Sequence, residues 1–577
     1  MSKIHLMDEI LANKIAAGEV VEKCVSVVKE LVENSIDAKA SIIKVELKDS
    51  GTQLIKVTDN GIGMDEEDSL MAFQRHATSK IIDESDLYRI STLGFRGEAL
   101  PSIASVSNVT LKTCSKNIGT IVNISGGKVL SVTKGDARIG TIIEIKNLFY
   151  NTPARLKHIK SLYSELANIT EYMNKIAFSH PNIKFTLTNN DNKILETDGR
   201  GDLLKTIKDI YGLEVAKKMY KVKSNLDDYE IEGYISYPSV NRSNKNHMIT
   251  IVNGRVVKNY DLNRTINDSY HSYKPDNRYP IVVLKINVDP SLIDVNIHPT
   301  KMDIKFSKMN ELLDEISTMI KNTIGTKNLI PKVTAPVVEK KHYEQFVLDF
   351  NKKEEVYEQE LFINEDLTIK EEVEDEKKEL EAMYPVGIVH GTYIICQNEL
   401  GMYLIDQHAA KERINYEIYK EKLGNPKKDS LPLLFPITIE YPSNEFIILK
   451  ENFEFIRSLN IDINEFGINS IIIKSHPTWL PKGHEEEAIK KILDLIINIE
   501  KNFTIEKFNE KLATTLACKM SIKANTNITI EEMERLISDL RKCDNPYNCP
   551  HGRPTIIFYS TYELEKLFKR SGFENLV

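Results

Sequence analysis

The sequence predicts an α+β, multidomain protein, and three observations carry that expectation. At 577 residues the chain exceeds the roughly 250–300 residues at which one hydrophobic core stops growing. Residues 1 to about 326 alternate between strand-like and helix-like patterns; residues 327–384 then lose periodicity, gain Pro331 and Pro336, and run to almost unbroken charge over Lys370–Glu381. Order resumes near Tyr384, where Val386–Gln397 and Gly401–Ile405 read as two strands separated by a turn at Asn398-Glu399. The stretch between is expected to be a disordered linker.

Composition narrows the class. With 41% hydrophobic and 28% charged residues the chain is ordinary for a soluble protein. A net charge of −8 provides no basic footprint over the whole molecule, so DNA binding would have to use local patches. Met1–Lys14 has no apolar core of a signal peptide, and no run approaches the ~18 apolar residues of a membrane span. The six cysteines, Cys24, Cys114, Cys396, Cys518, Cys543 and Cys549, are scattered; in a reducing cytoplasm they suit metal binding or core packing better than disulfides.

The first element that carries chemistry is Ser26–Ala38. Glu30, Asn34 and Asp37 fall at i, i+4 and i+7, on one helix face, while Val28, Leu31, Val32 and Ile36 supply apolar cover. After a half-buried strand with alternating Ile43, Val45 and Leu47, a second run, Leu54–Thr58, ends in Asp59-Asn60-Gly61-Ile62-Gly63. An acidic strand end followed by a glycine turn forms a concave backbone site where a planar base can sit. Arg75–Lys80 and Thr92–Leu100 follow, the second with Gly94 and Gly97 ahead of an apolar helix start, a pattern that turns backbone N–H groups toward phosphates.

ExxxNxxDA followed by DxGxG resembles the GHKL ATPase superfamily. With RHATSK, GFRGEAL and the Leu148–Arg155 run LFYNTPAR, the chain is similar to the MutL mismatch-repair family in particular. The resemblance implies an N-terminal GHKL ATPase α/β sandwich over 1–204, a ribosomal S5-like transducer subdomain over 205–326, the linker over 327–384, and a C-terminal dimerisation and endonuclease domain over 385–577 with an inserted lobe at 418–512. It makes Glu30 the base that activates water, has Asn34 hold Mg²⁺, and has Asp59 accept from the adenine amino group. It places Asp37, Gly63, Thr78, Ser79, Lys80 and Thr141 around ATP, Gly94, Phe95, Arg96 and Gly97 in a lid, and Lys301 of DVNIHPTK on the γ-phosphate. Phosphoryl transfer needs such a positioned water and such counter-charge. Arg255, at the end of Ile249–Arg255, which reads as a strand closing on a turn, either faces DNA in a groove between subunits or is an ordinary surface arginine.

In the C-terminal part, Asp406–Glu417 reads DQHA-x2-E-x4-E. His408 and Glu412, i and i+4 on a helix, can both point at one metal ion; Glu417, nine residues past His408, is turned by about 180° and is expected to orient the site or pair elsewhere. The motif resembles that of MutL proteins with a metal-dependent endonuclease, as do Leu516–Lys519, Cys549–Pro554 (CPHGRP) and Phe568–Arg570. By that resemblance Asp406, His408, Glu412, Cys549 and His551 form a mixed donor set suited to Zn²⁺, with room for a harder ion such as Mn²⁺. Cys518 is equally a buried structural cysteine. The lobe holds the single tryptophan, Trp479.

The family's partners are a second copy of the chain, DNA, MutS and the sliding clamp. For the clamp two stretches compete: Gln345, Leu348 and Phe350 in the linker resemble a docking peptide, whereas Leu431–Pro436, with Leu434 and Phe435, occupies the place of the family's docking motif but carries leucine where glutamine is usual. The implied function is ATP-regulated, metal-dependent DNA nicking in mismatch repair. Its rivals are an ATP-switched scaffold with a structural metal and a type II topoisomerase ATPase subunit.

Overall fold

The computed structural model describes residues 21–81, 92–94, 97–159, 161–274, 278–294, 304–325, 380–424, 429–498, 505–521 and 528–568. Of the residues singled out above, Phe95, Arg96, Lys301 and the linker set Gln345, Leu348 and Phe350 lie outside them, as does the expected linker up to residue 379. The chain divides into two units, Met1–Thr326 with Asn415–Ser521, and Lys327–Ile414 with Ile522–Val577.

In the first unit eight strands form one sheet: β1 Ile42–Lys48, β2 Leu54–Asp59, β3 Asn108–Cys114, β4 Gly119–Ser125, β5 Lys128–Gly135, β6 Gly140–Lys146, β7 Lys184–Asn189 and β8 Asn192–Glu196. Their spatial order is β5-β4-β3-β6-β2-β1-β7-β8, antiparallel except where β1 meets β7. The period-2 pattern of β1 places Ile43, Val45 and Leu47 in the core beneath the helices Cys24–Asp37 and Leu162–Ser179. Because β2 lies inside the sheet, its last residue, Asp59, opens at the foot of the Cys24–Asp37 helix. The turn after it depends on glycine. Gly63 has φ +67°, and a Cβ there would stand 2.0 Å from the Cys114 carbonyl oxygen.

Next in the chain is a five-stranded sheet, ordered Arg255–Val257, Met248–Val252, Val282–Val288, Tyr229–Ser236, Met219–Asn225, covered by the helices Tyr260–Ser269 and Met309–Gly325. The strand expected to close on a turn over Ile249–Arg255 does so: it ends at Val252, turns at Asn253-Gly254, where both φ values are positive, and pairs back with Arg255–Val257. The lobe completes this unit. A three-stranded sheet, Ser430–Glu440, Ser470–Pro477 and Ile463–Glu465, packs with the helices Ser443–Glu451, Phe453–Ser458, Glu485–Ile497 and Ile505–Ser521 around a core that includes Trp479.

The second unit is built on a four-stranded antiparallel sheet, Tyr384–Val389, Tyr393–Asn398, Gly401–Asp406 and Ile556–Ser560, backed by the Ile530–Arg541 helix. The single strand expected over Val386–Gln397 is a hairpin instead. His390 and Gly391 take positive φ and turn the chain, as a residue without Cβ allows. No described helix is long and apolar enough to cross a membrane.

Candidate nucleotide site and candidate metal centre

The Cys24–Asp37 helix buries Val27, Val28, Leu31 and Val32 and leaves Glu30, Asn34 and Asp37 half-buried along the opposite face. Asp59 meets this helix from β2. Its Oδ2 accepts from the Ser35 hydroxyl at 2.8 Å, and its Oδ1 accepts from the Gly61 amide at 2.9 Å and the Thr141 amide at 3.2 Å. Burial pushes the Asp59 carboxyl up, against the lowering pull of those three donors. Thr141 is held in turn by Thr113, whose hydroxyl lies 3.1 Å from its own and accepts from the Met64 amide at 2.9 Å. Ser35 and Thr113 were not singled out in the sequence; Ser35 sits inside the motif at an x position, so its only signal was its place beside Asn34.

Asp37 gathers the far side of the site. It accepts from the amides of Leu93 and Gly94 at 3.0 and 3.1 Å, and from the Lys80 ammonium at 2.6 Å. Lys80 also donates to Asn34 Oδ1 at 2.9 Å. A cation thus stands between the two side chains that face one another here, the kind of neighbourhood a divalent ion needs. Gly94 passes close enough that a Cβ would meet Lys80 Nζ at 3.3 Å, and Gly97, at φ +63°, returns the chain to Ala77. Thr78 and Ser79 are exposed beside Lys80. Arg255, expected at the surface or facing DNA, is instead buried, and its guanidinium donates to the Thr92 carbonyl, just before Leu93 and Gly94.

In the second unit, the Gly401–Asp406 strand runs directly into the Gln407–Gly424 helix. The i, i+4 spacing brings His408 Nε2 to 3.5 Å from Glu412 Oε1, and His551 Nδ1 stands 3.3 Å from Glu412 Oε2. Glu412, Cys549 and His551 offer a carboxylate oxygen, a sulfur and a ring nitrogen within 4.8 Å of one another. A carboxylate with a side chain only 5% exposed, facing two imidazoles and a buried thiol, is a donor set that fits a borderline-soft cation such as Zn²⁺. Arg413, another residue missed in the sequence, fixes the second half of the set: its Nε donates to the Asn548 carbonyl at 2.6 Å, next to Cys549.

Asp406 does something different. Its Oδ1 accepts from the amides of His408 and Ala409 at 2.8 and 3.0 Å, capping the helix that carries His408 and Glu412. Glu417 is half-buried further along the same helix, and Cys518 is half-buried on the Ile505–Ser521 helix.

Three family models match the chain: the histidine kinase-, DNA gyrase B- and HSP90-like ATPase over residues 22–148, the DNA mismatch repair protein C-terminal domain over 207–325, and the MutL C terminal dimerisation domain over 386–528. The chain is 45% identical to the DNA mismatch repair protein MutL of Listeria innocua serovar 6a, covering 98% of this chain and 99% of that one. The chain belongs to the MutL family of DNA mismatch repair proteins. The MutL of Anoxybacillus flavithermus is 44% identical over 99% of this chain and all of its own. Among solved structures, the Aquifex aeolicus MutL ATPase domain complexed with ADP aligns at 23% identity with a TM-score of 0.38, covering 54% of this chain and 99% of that one. Its MutL membership accounts for the order seen here: a GHKL-type ATPase fold first, a mixed α/β second domain next, and the dimerisation region last.

Proposed function

We propose that this chain is an ATP-regulated, metal-dependent DNA nicking endonuclease and matchmaker of mismatch repair, working as a homodimer downstream of MutS. The observation that carries the nuclease is the convergence of Glu412, Cys549 and His551, drawn from segments 137 positions apart, into one compact donor set beside His408. A metal held there by Glu412, Cys549, His551 and His408 would polarise a phosphodiester and lower the pKa of a bound water. Zn²⁺ suits the thiolate and imidazoles, and Mn²⁺ suits the carboxylates. Asp406 contributes by fixing the helix start, and its second oxygen is available as a further ligand.

At the nucleotide site the proposed assignments are Glu30 as general base, Asn34 as the Mg²⁺ ligand, and Asp59 as the acceptor of the adenine amino group. Asp37, Gly63, Thr78, Ser79, Lys80, Gly94, Gly97 and Thr141 shape the pocket. Lys301, Phe95 and Arg96 close it by family resemblance. A cytoplasmic, nucleoid-associated location follows from DNA as the substrate. The inserted lobe offers one clamp-docking surface. Between Pro432 and Ile437 the strand register slips, and Leu434 and Phe435 are left 89% and 79% exposed at the sheet edge.

The test is nicking of supercoiled plasmid by the full chain with Mn²⁺. Glu412→Gln should abolish nicking while ATP hydrolysis continues at the parent rate. Nicking that survives this change would favour the scaffold with a structural metal, and transient double-strand breaks would favour the topoisomerase reading.

A further inference from the structure

The Ser443–Glu451 helix of the lobe is apolar on two opposite faces. Phe446 and Leu449 belong to the lobe's own core, but Ile447 and Ile448, roughly 100–200° further round, pack into the core of the ATPase-type domain instead. A helix covered on one side only would have left both isoleucines in water; a helix apolar all round is buried all round.

Polar pairs surround that apolar centre. Glu445 Oε1 lies 2.8 Å from His247 Nε2, and His247 Nδ1 lies 3.0 Å from the Tyr211 hydroxyl; both ionisable side chains are about 5% exposed, at 5% and 4%. Ser443 donates to the Ile194 carbonyl at 3.0 Å, Asn174 donates to Asn444 at 3.4 Å, and Ser161, which caps the Leu162–Ser179 helix, donates to Glu451 at 2.6 Å. Arg278 pairs with Asp494, and Asn498 donates to Ser243 at 2.8 Å. A cavity of about 20 Å³, room for one water, is lined by Asn174, Tyr211, His247 and Asn444, and the Asn174 Oδ1 atom is buried without a hydrogen-bond partner. Burial pushes the Glu445 carboxyl up, but His247 and Arg242 outweigh it and hold the group below the usual carboxylate range. Two isoleucines ringed by ion pairs and amide contacts, with a buried amide oxygen left over, have the make-up of a contact between domains that can separate.

We propose that the Ser443–Glu451 helix is a docking element by which the lobe clasps the ATPase-type domain of its own chain, releasably, at the Leu162–Ser179 helix and the His247 corner. The seat adjoins the nucleotide site: Tyr172, on the same Leu162–Ser179 helix, donates to the Lys29 carbonyl, next to Glu30. The clasp therefore bears on the helix that carries Glu30, Asn34 and Asp37.

The test uses the full chain with Asn174→Cys and Asn444→Cys, oxidised with diamide to a disulfide and read by mass spectrometry of the linked peptides against each single variant. The expected result is a 174–444 link formed within one chain and reduced at least about tenfold, or about 1.4 kcal/mol, by adding Ile447→Asp. In hydrogen exchange, Ile447→Asp should loosen residues 162–179 and 443–451 together while Ala488–Ile496, in the lobe's own core, stays protected. No link in a chain whose lobe remains protected overturns the proposal. A link found only in mixed dimers, each copy carrying one cysteine, overturns the within-chain seat. Loss of protection confined to 443–451 overturns the shared surface. Should Ile447→Asp unfold the lobe, Ile447→Ala with Glu445→Gln replaces it, with the same readouts.

Discussion

The Ser35 hydroxyl donates to the Asp59 carboxylate at 2.8 Å, joining the helix that carries Glu30 and Asn34 to the strand end that closes the candidate base pocket. On the proposed reading Asp59 acts ionised, as an acceptor, although burial holds its pKa above the ordinary carboxylate value. ATP binding should then be full above that raised pKa and fall as pH drops through it. Ser35→Ala removes a donor that favours the charged form, so the fall should move to higher pH. At neutral pH the loss should be about 1 kcal/mol, roughly fivefold in Kd by calorimetry. An unshifted pH profile would separate Ser35 from the pocket.

Glu30 lies half-buried on the same face as Asn34 and Asp37. Replacing it with alanine should cut ATP hydrolysis by about 10²–10⁴-fold and leave nucleotide binding nearly intact, since no phosphate contact is lost. Asn34→Ala should weaken Mg·ATP binding itself. Steady-state hydrolysis with filter binding distinguishes the two, and hydrolysis at the parent rate by Glu30→Ala would remove it as base.

Asp406 presents two separable roles, helix cap and proposed ligand. Asparagine caps as well as aspartate, while alanine costs about 1 kcal/mol at such a position. Asp406→Asn should therefore keep the thermal midpoint and lose Mn²⁺-dependent nicking, whereas Asp406→Ala should lose both. If Asp406→Asn nicks normally, the carboxylate serves the helix alone.

His551 and Cys549 lie on one loop tied down by Arg413. Elemental analysis of the purified chain should find bound zinc that falls on His551→Ala or Cys549→Ser. Equal zinc in parent and variants would place the metal elsewhere.

Leu434 and Phe435 project from a bulged edge strand. Changing both to serine removes no core contact, so stability should stay within about 0.5 kcal/mol. Clamp-stimulated nicking should drop while unstimulated nicking persists. If instead only Gln345→Ala with Leu348→Ala abolishes stimulation, the linker peptide is the docking segment.

Local periodicity made the polar face of Cys24–Asp37 and the His408–Glu412 pair legible, because both depend on one helix alone. The Asp59 turn was legible for a similar reason: a strand must end somewhere, and Gly61 and Gly63 mark the place. Contacts spanning the chain were not. Arg255 reaches Thr92 across 163 positions, and nothing in VNGR distinguishes that from a solvated arginine. The His390-Gly391 turn is masked in the sequence by apolar residues on both sides, Ile388-Val389 before it and Tyr393-Ile394-Ile395 after it. Asp406, read as a ligand from its motif, spends one oxygen on backbone amides, which spacing cannot reveal. The doubly apolar Ser443–Glu451 helix was written in the sequence as Phe446-Ile447-Ile448-Leu449, but only tertiary structure shows that its two faces belong to different cores.

Trp479 is the single indole of 577 residues, and it lies in the core of the lobe. Selective excitation of that ring therefore produces emission from one place only, with every other domain dark. A red shift on heating or in denaturant would time the opening of the lobe by itself, against circular dichroism that averages the whole chain. No label has to be introduced to watch it.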